Sequence, residues 1–160
     1  ATRAFGGITR QQSRDNMLTR NEVPEDYFVM GDLIASGGFA NVYYCIYEGD
    51  RVAAKVARLT GPLKAQQEQQ EAFKREVQIM CRLRSKRIVQ IYGACTTRPQ
   101  ELVLLMELSP LGDLRTFLDS SHHWQSLGER GQSQLLLDVA TGMRYLVDQH
   151  YFHRDLKSPK

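Results

Sequence analysis

A charged run near the end of the chain, H-R-D-L-K at positions 153–157, brings an imidazole, a carboxylate and two cations within five residues. Side chains of these types transfer protons and bind anions when a fold holds them together. Far upstream, Lys55 ends the segment V-A-A-K at positions 52–55. A lysine at the end of a strand is usually only a solvated surface residue. Each pattern is therefore informative only in combination with other motifs.

A glycine-containing segment, A-S-G-G-F-A-N-V at positions 35–42, precedes this lysine. Glycines let backbone N–H groups approach phosphate oxygens without a Cβ atom in the way. A Gly-Gly pair between strands is usually just a hairpin turn. The V-A-A-K segment downstream makes the phosphate-binding interpretation more favourable.

Composition and charge exclude several classes of protein. The chain has 160 residues, enough for one compact domain, and 42% of them are hydrophobic and 24% charged. The net charge is only +3 and the 21 lysines and arginines are scattered, so we expect no nucleic-acid partner. An uninterrupted apolar stretch such as 102–106 is far too short for a membrane segment, and the start lacks the apolar core of a signal peptide.

The three cysteines are widely spaced and form no C-x-x-C pair. This pattern predicts free thiols in a reducing compartment, the cytoplasm, and no metal site. The cysteines are Cys45, Cys81 and Cys95.

The first 24 residues are polar and lack apolar periodicity, which predicts a flexible or loosely docked leader at 1–24. The next segments favour strands and turns because they are rich in β-branched and aromatic residues. The predicted strands are 28–34, 42–47, 51–57, 88–92 and 102–106.

Helical periodicity predicts one helix from residue 64, with Phe73, Val77 and Met80 on one face and Leu83 continuing the stripe. A short helix is expected at 113–118, and a polar loop at 120–126. A longer amphipathic helix then carries Leu135, Val139, Met143 and Leu146.

This order of elements, together with the three motifs, resembles a protein kinase domain from about Tyr27 to Lys160. Within that superfamily the chain is similar to the tyrosine-kinase-like group. The resemblance implies an α+β, protein-kinase-like fold, with a five-stranded antiparallel small-lobe sheet and one helix, followed by the first helices of a truncated large lobe. The partial kinase domain would span 25–160, with the small lobe at 25–108 and the hinge and start of the large lobe at 109–160.

The resemblance also implies an ATP site. In the kinase pattern G-x-G-x-x-G-x-V only the middle Gly37 is retained, and alanines replace the outer two glycines. The resemblance implies that Val42 and Ala53 contact one adenine face and that Phe39 covers the phosphates. The small-lobe residues expected to line the nucleotide are Ile34, Ala35, Gly37, Gly38, Phe39, Val42, Ala53 and Lys55.

By the same resemblance, Lys55 contacts the α- and β-phosphates and a carboxylate of the following helix holds it in place. Glu76, within F-K-R-E-V at positions 73–77, fits this role. Glu68 and Glu71 are rival acids on the same helix.

Residues 104–114 resemble the fifth strand and the hinge. Met106 would be the gatekeeper, and backbone groups of Glu107 and Ser109 would bind the adenine edge. Asp113 could accept hydrogen bonds from the ribose hydroxyls, but an aspartate that opens a short helix is also a good N-cap. Both roles remain open.

In the catalytic loop the resemblance assigns Asp155 to the substrate hydroxyl, whose proton it accepts or orients. Lys157 is typical of kinases directed at serine and threonine, where it stabilises charge on the transferred γ-phosphate. His153 is expected to pack, and Arg154 to contact a phosphorylated activation loop. Lys160 stands where kinases carry an asparagine that binds magnesium, and an ammonium repels a cation.

Two hypotheses follow for the function. The first is an ATP-dependent protein serine/threonine kinase that uses ATP and Mg²⁺ and acts on a protein substrate. The second is a pseudokinase, a nucleotide-binding or scaffolding domain without catalysis. Lys55, Glu76, Asp155 and Lys157 favour the enzyme, whereas Ala35, Ala40 and Lys160 favour the pseudokinase. The D-F-G motif, which supplies the main Mg²⁺ ligand of kinases, does not occur in the 160 residues, so we expect these residues alone to be inactive.

Overall fold

The computed structural model describes residues 21–38 and 40–156. The chain divides into two compact units. Of the described residues, the first unit contains 21–38, 40–82 and 91–106, and the second contains 83–90 and 107–156. The predicted boundaries of leader, small lobe and large lobe stay a prediction, and leader residues 1–20 lie outside the described residues.

The first unit is built on a five-stranded antiparallel sheet, so the predicted α+β fold is confirmed. β1 (Phe28–Ser36), β2 (Ala40–Tyr47) and β3 (Asp50–Arg58) form an antiparallel meander. β4 (Ile91–Cys95) and β5 (Glu101–Glu107) pair antiparallel, and the strand order is β1-β2-β3-β5-β4.

A two-residue turn joins β2 to β3 because Tyr47 pairs directly with Asp50. Its residues Glu48 and Gly49 have positive φ angles of 52° and 88°. Such angles match the right-handed twist of the flanking strands. The register of β2 against β3 is thereby fixed, and with it the face on which each side chain lies.

Alternating side chains build two apolar clusters on opposite faces of the sheet. Val52, Ala54 and Val56 of β3 belong to the first cluster, together with Val103 and Leu105 of β5. On the other face, Ala94 and Leu104 pack against Val77 of helix α1 (Leu63–Met80). Helix α1 therefore covers the face opposite to the first cluster.

Residues 21–25, which precede the sheet, lie along β4. The Val23 N–H donates to the Ala94 carbonyl at 2.8 Å, and the Val23 side chain is buried in the first cluster. Glu22 forms a parallel bridge with Ala94. We call residues 21–25 the N-terminal strap. Most of the strap falls within the predicted leader, because no periodicity links it to a strand some 70 residues later.

The second unit contains α2 (Leu114–Asp119), α3 (Ser121–Ser126) and α4 (Gly128–Asp148). The loop 83–90 is fixed to α4 by two polar contacts. The Arg84 N–H donates to the Tyr145 hydroxyl at 2.8 Å, and Arg87 Nε pairs with Asp138 Oδ1 at 2.7 Å. No helix among the described residues is both long and apolar enough to cross a bilayer.

Three details of the predicted secondary structure are wrong. The segment 120–126, predicted as a polar loop, contains α3, which follows Ser120. The His123 ring of α3 stacks on the Phe117 ring of α2, with the ring centroids 5.3 Å apart. The fourth strand begins at Ile91 rather than at residue 88, because loop 83–90 is held by α4. Helix α1 ends at Met80, and Leu83 is buried beyond it in that loop.

Candidate active site

The predicted nucleotide-contacting residues of β2 and β3 lie on one face of the sheet. Val42 pairs with Lys55 across the two strands, and Ala53 is two residues from Lys55 on β3. Because neighbours directly opposite, and residues two apart, point to the same side, these three side chains share the face opposite to the first cluster. Ala53 is 3% exposed, whereas Lys55 is exposed. The arrangement sets a small apolar surface beside an accessible cation.

Glu76 lies on α1, the helix that packs on the same face of the sheet. Val77 is buried against the sheet and Phe73 is partly buried there, whereas Glu76 is exposed. Among the ion pairs of the described residues, none joins Glu76 to Lys55. The contact between Lys55 and Glu76 therefore stays a prediction.

The rival acids on α1 differ in their surroundings. Glu71 pairs with Lys74 one turn later, at 3.2 Å between Oε1 and Nζ, so its carboxylate is engaged on the surface of the helix. Glu68 is exposed.

The glycine-containing segment forms the turn between β1 and β2. The Gly37 N–H donates to the Ala40 carbonyl at 3.0 Å, and Ser36 Oγ donates to Asn41 Oδ1 at 2.8 Å. The Gly37 N–H is thus used within the turn. A Cβ atom added to Gly38 would meet nothing within 4 Å, so the backbone there is open to an approaching group. Ile34 and Ala35 are exposed on β1, and Phe39 lies outside the described residues.

The hinge residues are divided between the units. Met106, at the end of the first unit, is partly buried against the α1 cluster. In the second unit, Glu107 exchanges two hydrogen bonds with Gln90: its N–H donates to the Gln90 carbonyl at 2.8 Å, and its Oε2 accepts from the Gln90 N–H at 3.1 Å. Ser109 Oγ donates to the Gly112 carbonyl at 2.8 Å. These contacts give the hinge a defined backbone.

Asp113 is the N-cap of α2. Its Oδ1 accepts a hydrogen bond from the Thr116 N–H at 2.8 Å. The capping role, one of the two roles left open by the sequence, is therefore observed. The second role, at the ribose, stays a prediction that concerns the other carboxylate oxygen.

Asp155 lies in the loop after α4, in the second unit, and is exposed. Its N–H donates to His153 Nδ1 at 3.3 Å, and Arg154 between them has a φ of 60°. This left-handed residue turns the backbone so that His153 and the Asp155 N–H meet. Lys157 and Lys160 lie outside the described residues.

The described residues do not fit a magnesium site. Within 21–38 and 40–156, no three His, Cys, Asp or Glu side chains converge in a way that could hold a metal ion. The face formed by Val42, Ala53 and Lys55 does fit one side of a nucleotide, because it combines apolar area with a cation. A shallow depression elsewhere, along α4 from Glu129 to Leu137, contains none of the predicted site residues.

One polar cluster in the first unit contains none of the predicted site residues. The Thr96 carbonyl accepts one hydrogen bond from Gln70, and the Thr96 N–H and hydroxyl donate two hydrogen bonds to Glu22. Positions 22, 70 and 96 share no motif or period, so only the fold reveals that these side chains meet.

The sequence model of the family described as protein tyrosine and serine/threonine kinase matches residues 28–159. The chain belongs to this kinase family. It is 35% identical over 130 residues to serine/threonine/tyrosine-protein kinase HT1 of Arabidopsis thaliana, covering 81% of this chain and 33% of that protein. It is 38% identical over 128 residues to serine/threonine-protein kinase CTR1 of the same plant, covering 79% of this chain and 15% of that protein.

A vertebrate relative is also similar to this kinase chain. The alpha subunit of the inhibitor of nuclear factor kappa-B kinase of Gallus gallus is 32% identical over 136 residues, covering 80% of this chain and 17% of that protein. The predicted resemblance to kinases of the tyrosine-kinase-like group is confirmed. The kinase chain spans a third or less of the length of these relatives.

Proposed function

We propose that this chain is part of an ATP-dependent protein kinase that transfers the γ-phosphate of ATP to serine or threonine hydroxyls of a protein substrate. The observation that carries the proposal is the shared face of Val42, Ala53 and Lys55 on β2 and β3. The family match and the H-R-D-L-K segment at 153–157 support phosphoryl transfer to serine or threonine hydroxyls as the reaction.

In this mechanism each residue has a separate task. Val42 and Ala53 exclude water from one side of the adenine. Lys55 places its ammonium on phosphate oxygens, and Glu76 restrains that ammonium once the two side chains meet. ATP supplies the phosphoryl group. Asp155 accepts the proton of the substrate hydroxyl as the hydroxyl oxygen bonds to phosphorus and the bond to ADP breaks.

Further elements of the proposal rest on the resemblance. Backbone groups of Glu107 and Ser109 bind the adenine edge beside Met106, and Lys157 stabilises charge on the transferred phosphate and favours serine and threonine. Magnesium is the expected second cofactor, with ligands outside the described residues. We also propose a cytoplasmic location, supported by three cysteines that are all free thiols.

Substitution of the two charged groups tests this proposal in a protein that contains these 160 residues together with a D-F-G segment. Lys55→Met and Asp155→Asn should each lower kcat at least about 100-fold, because each removes a charge that acts on the reacting groups. Lys64→Met, at an exposed lysine of α1, is the matched control and should keep the wild-type rate.

The readouts are radiolabelled phosphate transfer to a protein substrate and circular dichroism. A rate near that of wild type in Lys55→Met or Asp155→Asn, with the fold retained, would rule out the assigned role. Nucleotide binding without any transfer by the wild-type protein would favour the pseudokinase instead.

A further inference from the structure

Helix α1 carries Glu76 and is held by few apolar contacts. Val77 is its one buried side chain, at 2% exposure, while Phe73 and Met80 are only partly buried. An 18-residue helix with so small an apolar contact depends on polar contacts for its position.

Three glutamines in the first half of α1 form such hydrogen bonds, and they differ in the part of the chain to which they bind. Gln66 donates to the Gly61 carbonyl at 2.8 Å, and Gln69 exchanges hydrogen bonds with the Thr60 backbone at 2.9 and 3.2 Å. Both join the helix to the loop directly before it. Gln70 Nε2 instead donates to the Thr96 carbonyl at 3.0 Å, at the end of β4.

Gln70 and Val77 lie on one side of the helix, because residues seven apart return to nearly the same direction. Val77 packs against Ala94 of β4, and Gln70 bonds to Thr96 just beyond that strand. The two contacts together fix both the rotation of α1 and its position along β4. Gln70 is the polar member of this pair.

Thr96 is in turn held by the N-terminal strap. Its N–H donates to Glu22 Oε1 at 2.7 Å and its hydroxyl donates to Glu22 Oε2 at 2.9 Å. Both carboxylate oxygens are thus bound to one residue, and hydrogen bonds to a charged acceptor are the stronger kind. A continuous chain of hydrogen bonds runs from Glu22 through Thr96 to Gln70. We call these three residues the strap relay.

We propose that Gln70 is a positioning residue for phosphoryl transfer, and that the N-terminal strap acts on the same reaction through the strap relay. The inference rests on the proposed function, and in particular on the role of Glu76. Glu76 follows Gln70 by six residues, about 9 Å along a helix. A small rotation of α1 therefore changes where the Glu76 carboxylate lies relative to Lys55.

The first test compares two glutamines of the same helix, in a protein that contains this chain and a D-F-G segment. Gln70→Leu removes the donor to Thr96, and Gln67→Leu makes the same change at an exposed position of α1. Gln70→Leu should lower kcat about 2- to 30-fold, the range that positioning networks transmit, with little change in KM for ATP. Gln67→Leu should match wild type. Gln70→Lys, which keeps a donor of similar reach, should recover most of the lost rate.

A second variant keeps the test valid if Gln70→Leu folds poorly. Glu22→Gln leaves the sequence of α1 unaltered but removes the charged acceptor for Thr96. It should therefore lower kcat, as Gln70→Leu does. Thermal unfolding of each variant separates a lower rate from a lower fraction of folded protein. A Glu22→Gln variant with wild-type kcat and KM would overturn the role of the strap.

The decisive comparison is made in a Glu76→Gln background. If Gln70 acts by placing Glu76, then Gln70→Leu should cause no further loss of kcat there. An equal loss in both backgrounds would overturn the inference, because it would mark a general effect on folding or binding. A Glu76→Gln protein as active as wild type would overturn the proposed site itself, whereas an impaired Glu76→Gln with an unimpaired Gln70→Leu would overturn only the positioning role.

Discussion

The Asp113 carboxylate has an observed role as the N-cap of α2 and a proposed role at the ribose of ATP. One oxygen caps α2 by accepting from the Thr116 N–H, and the other is expected at a ribose hydroxyl. A cap needs an acceptor but not a full charge, and Asn is as good an N-cap as Asp. The two uses can therefore be separated by substitution.

Asp113→Ala should lower the free energy of unfolding by about 0.5–2 kcal/mol, because the Thr116 N–H loses its acceptor. Asp113→Asn should keep most of that stability. Urea unfolding of the 160-residue chain followed by circular dichroism gives both values. An Asp113→Ala protein as stable as wild type would show that the cap contributes nothing. If nucleotide affinity falls in Asp113→Asn while stability is kept, the ribose role gains support.

The motif residues of the candidate site differ in how far the sequence could predict their arrangement. The resemblance to kinases selected Val42, Ala53 and Lys55, and the observed pairing of β2 with β3 places these three side chains on one face of the sheet. The relation between Lys55 and Glu76 could not be derived in this way. It depends on how α1 is rotated against the sheet, which is decided by contacts such as the one from Gln70 to Thr96.

At the scale of elements, the strap and β4 approach each other so closely that only glycine fits between them. A Cβ atom on Gly93 would lie 2.6 Å from Val23 Cγ2 and 2.7 Å from the Asn21 carbonyl oxygen. The second neighbour is backbone and cannot rotate away. The strap is held by the Val23 backbone hydrogen bond, the buried Val23 side chain, the Glu22 carboxylate and an ion pair between Glu25 and Arg98, whereas β4 is hydrogen-bonded to β5 along its length. We therefore expect a Cβ atom at position 93 to displace the strap rather than β4.

Gly93→Ala should therefore release the strap and leave the sheet folded. Hydrogen exchange can measure this, because the Val23 N–H is bonded to the Ala94 carbonyl and should lose its protection in the variant. Amides of β3 should exchange as slowly as in wild type. Gly38→Ala, where an added Cβ atom would meet nothing within 4 Å, is the control for a glycine replaced elsewhere in the unit. Unchanged protection of Val23 in Gly93→Ala would contradict the close approach.

The elements that sequence periodicity missed are those decided by distant contacts. Ile88 and Val89 read as the start of a strand, but the loop that carries them is held to α4 through Arg84 and Arg87. The strap reads as polar leader, because its partners Gly93 and Thr96 are some 70 residues away. Strands of the meander, by contrast, pair with their neighbours in sequence, and their predicted positions agree with the structure to within two residues.

For the molecule as a whole, the response of stability to alkaline pH follows from two groups of β2. Burial raises the pKa of the Cys45 thiol above its ordinary value of 9.0. Burial, followed by the charge of Glu48, raises the pKa of the Tyr47 hydroxyl above its ordinary value of 10.0. Both groups therefore hold their protons in the folded chain at a pH where the unfolded chain begins to release them.

The sign of the pH effect follows from linkage between protonation and folding. A raised pKa in the folded state contributes stability that is present below the ordinary pKa and is lost as pH rises through it toward the folded value. The free energy of unfolding should thus be insensitive to these two groups near neutral pH and should fall from about pH 9 upward. The unfolded chain gains from ionising Cys45 first and Tyr47 at higher pH.

Urea unfolding of the 160-residue chain at about pH 8 and at about pH 11 measures this loss of stability. The free energy of unfolding of the double variant Cys45→Ala, Tyr47→Phe should fall less between these two pH values than that of wild type. This expectation does not depend on how stable the double variant is at the lower pH. Tyr27→Phe, at a tyrosine that is 64% exposed, is the matched control and should lose as much as wild type. Because each protein is compared with itself, the cavity left by the alanine cancels from the difference. Equal losses in the double variant and in wild type would mean that neither group keeps its proton preferentially in the folded chain.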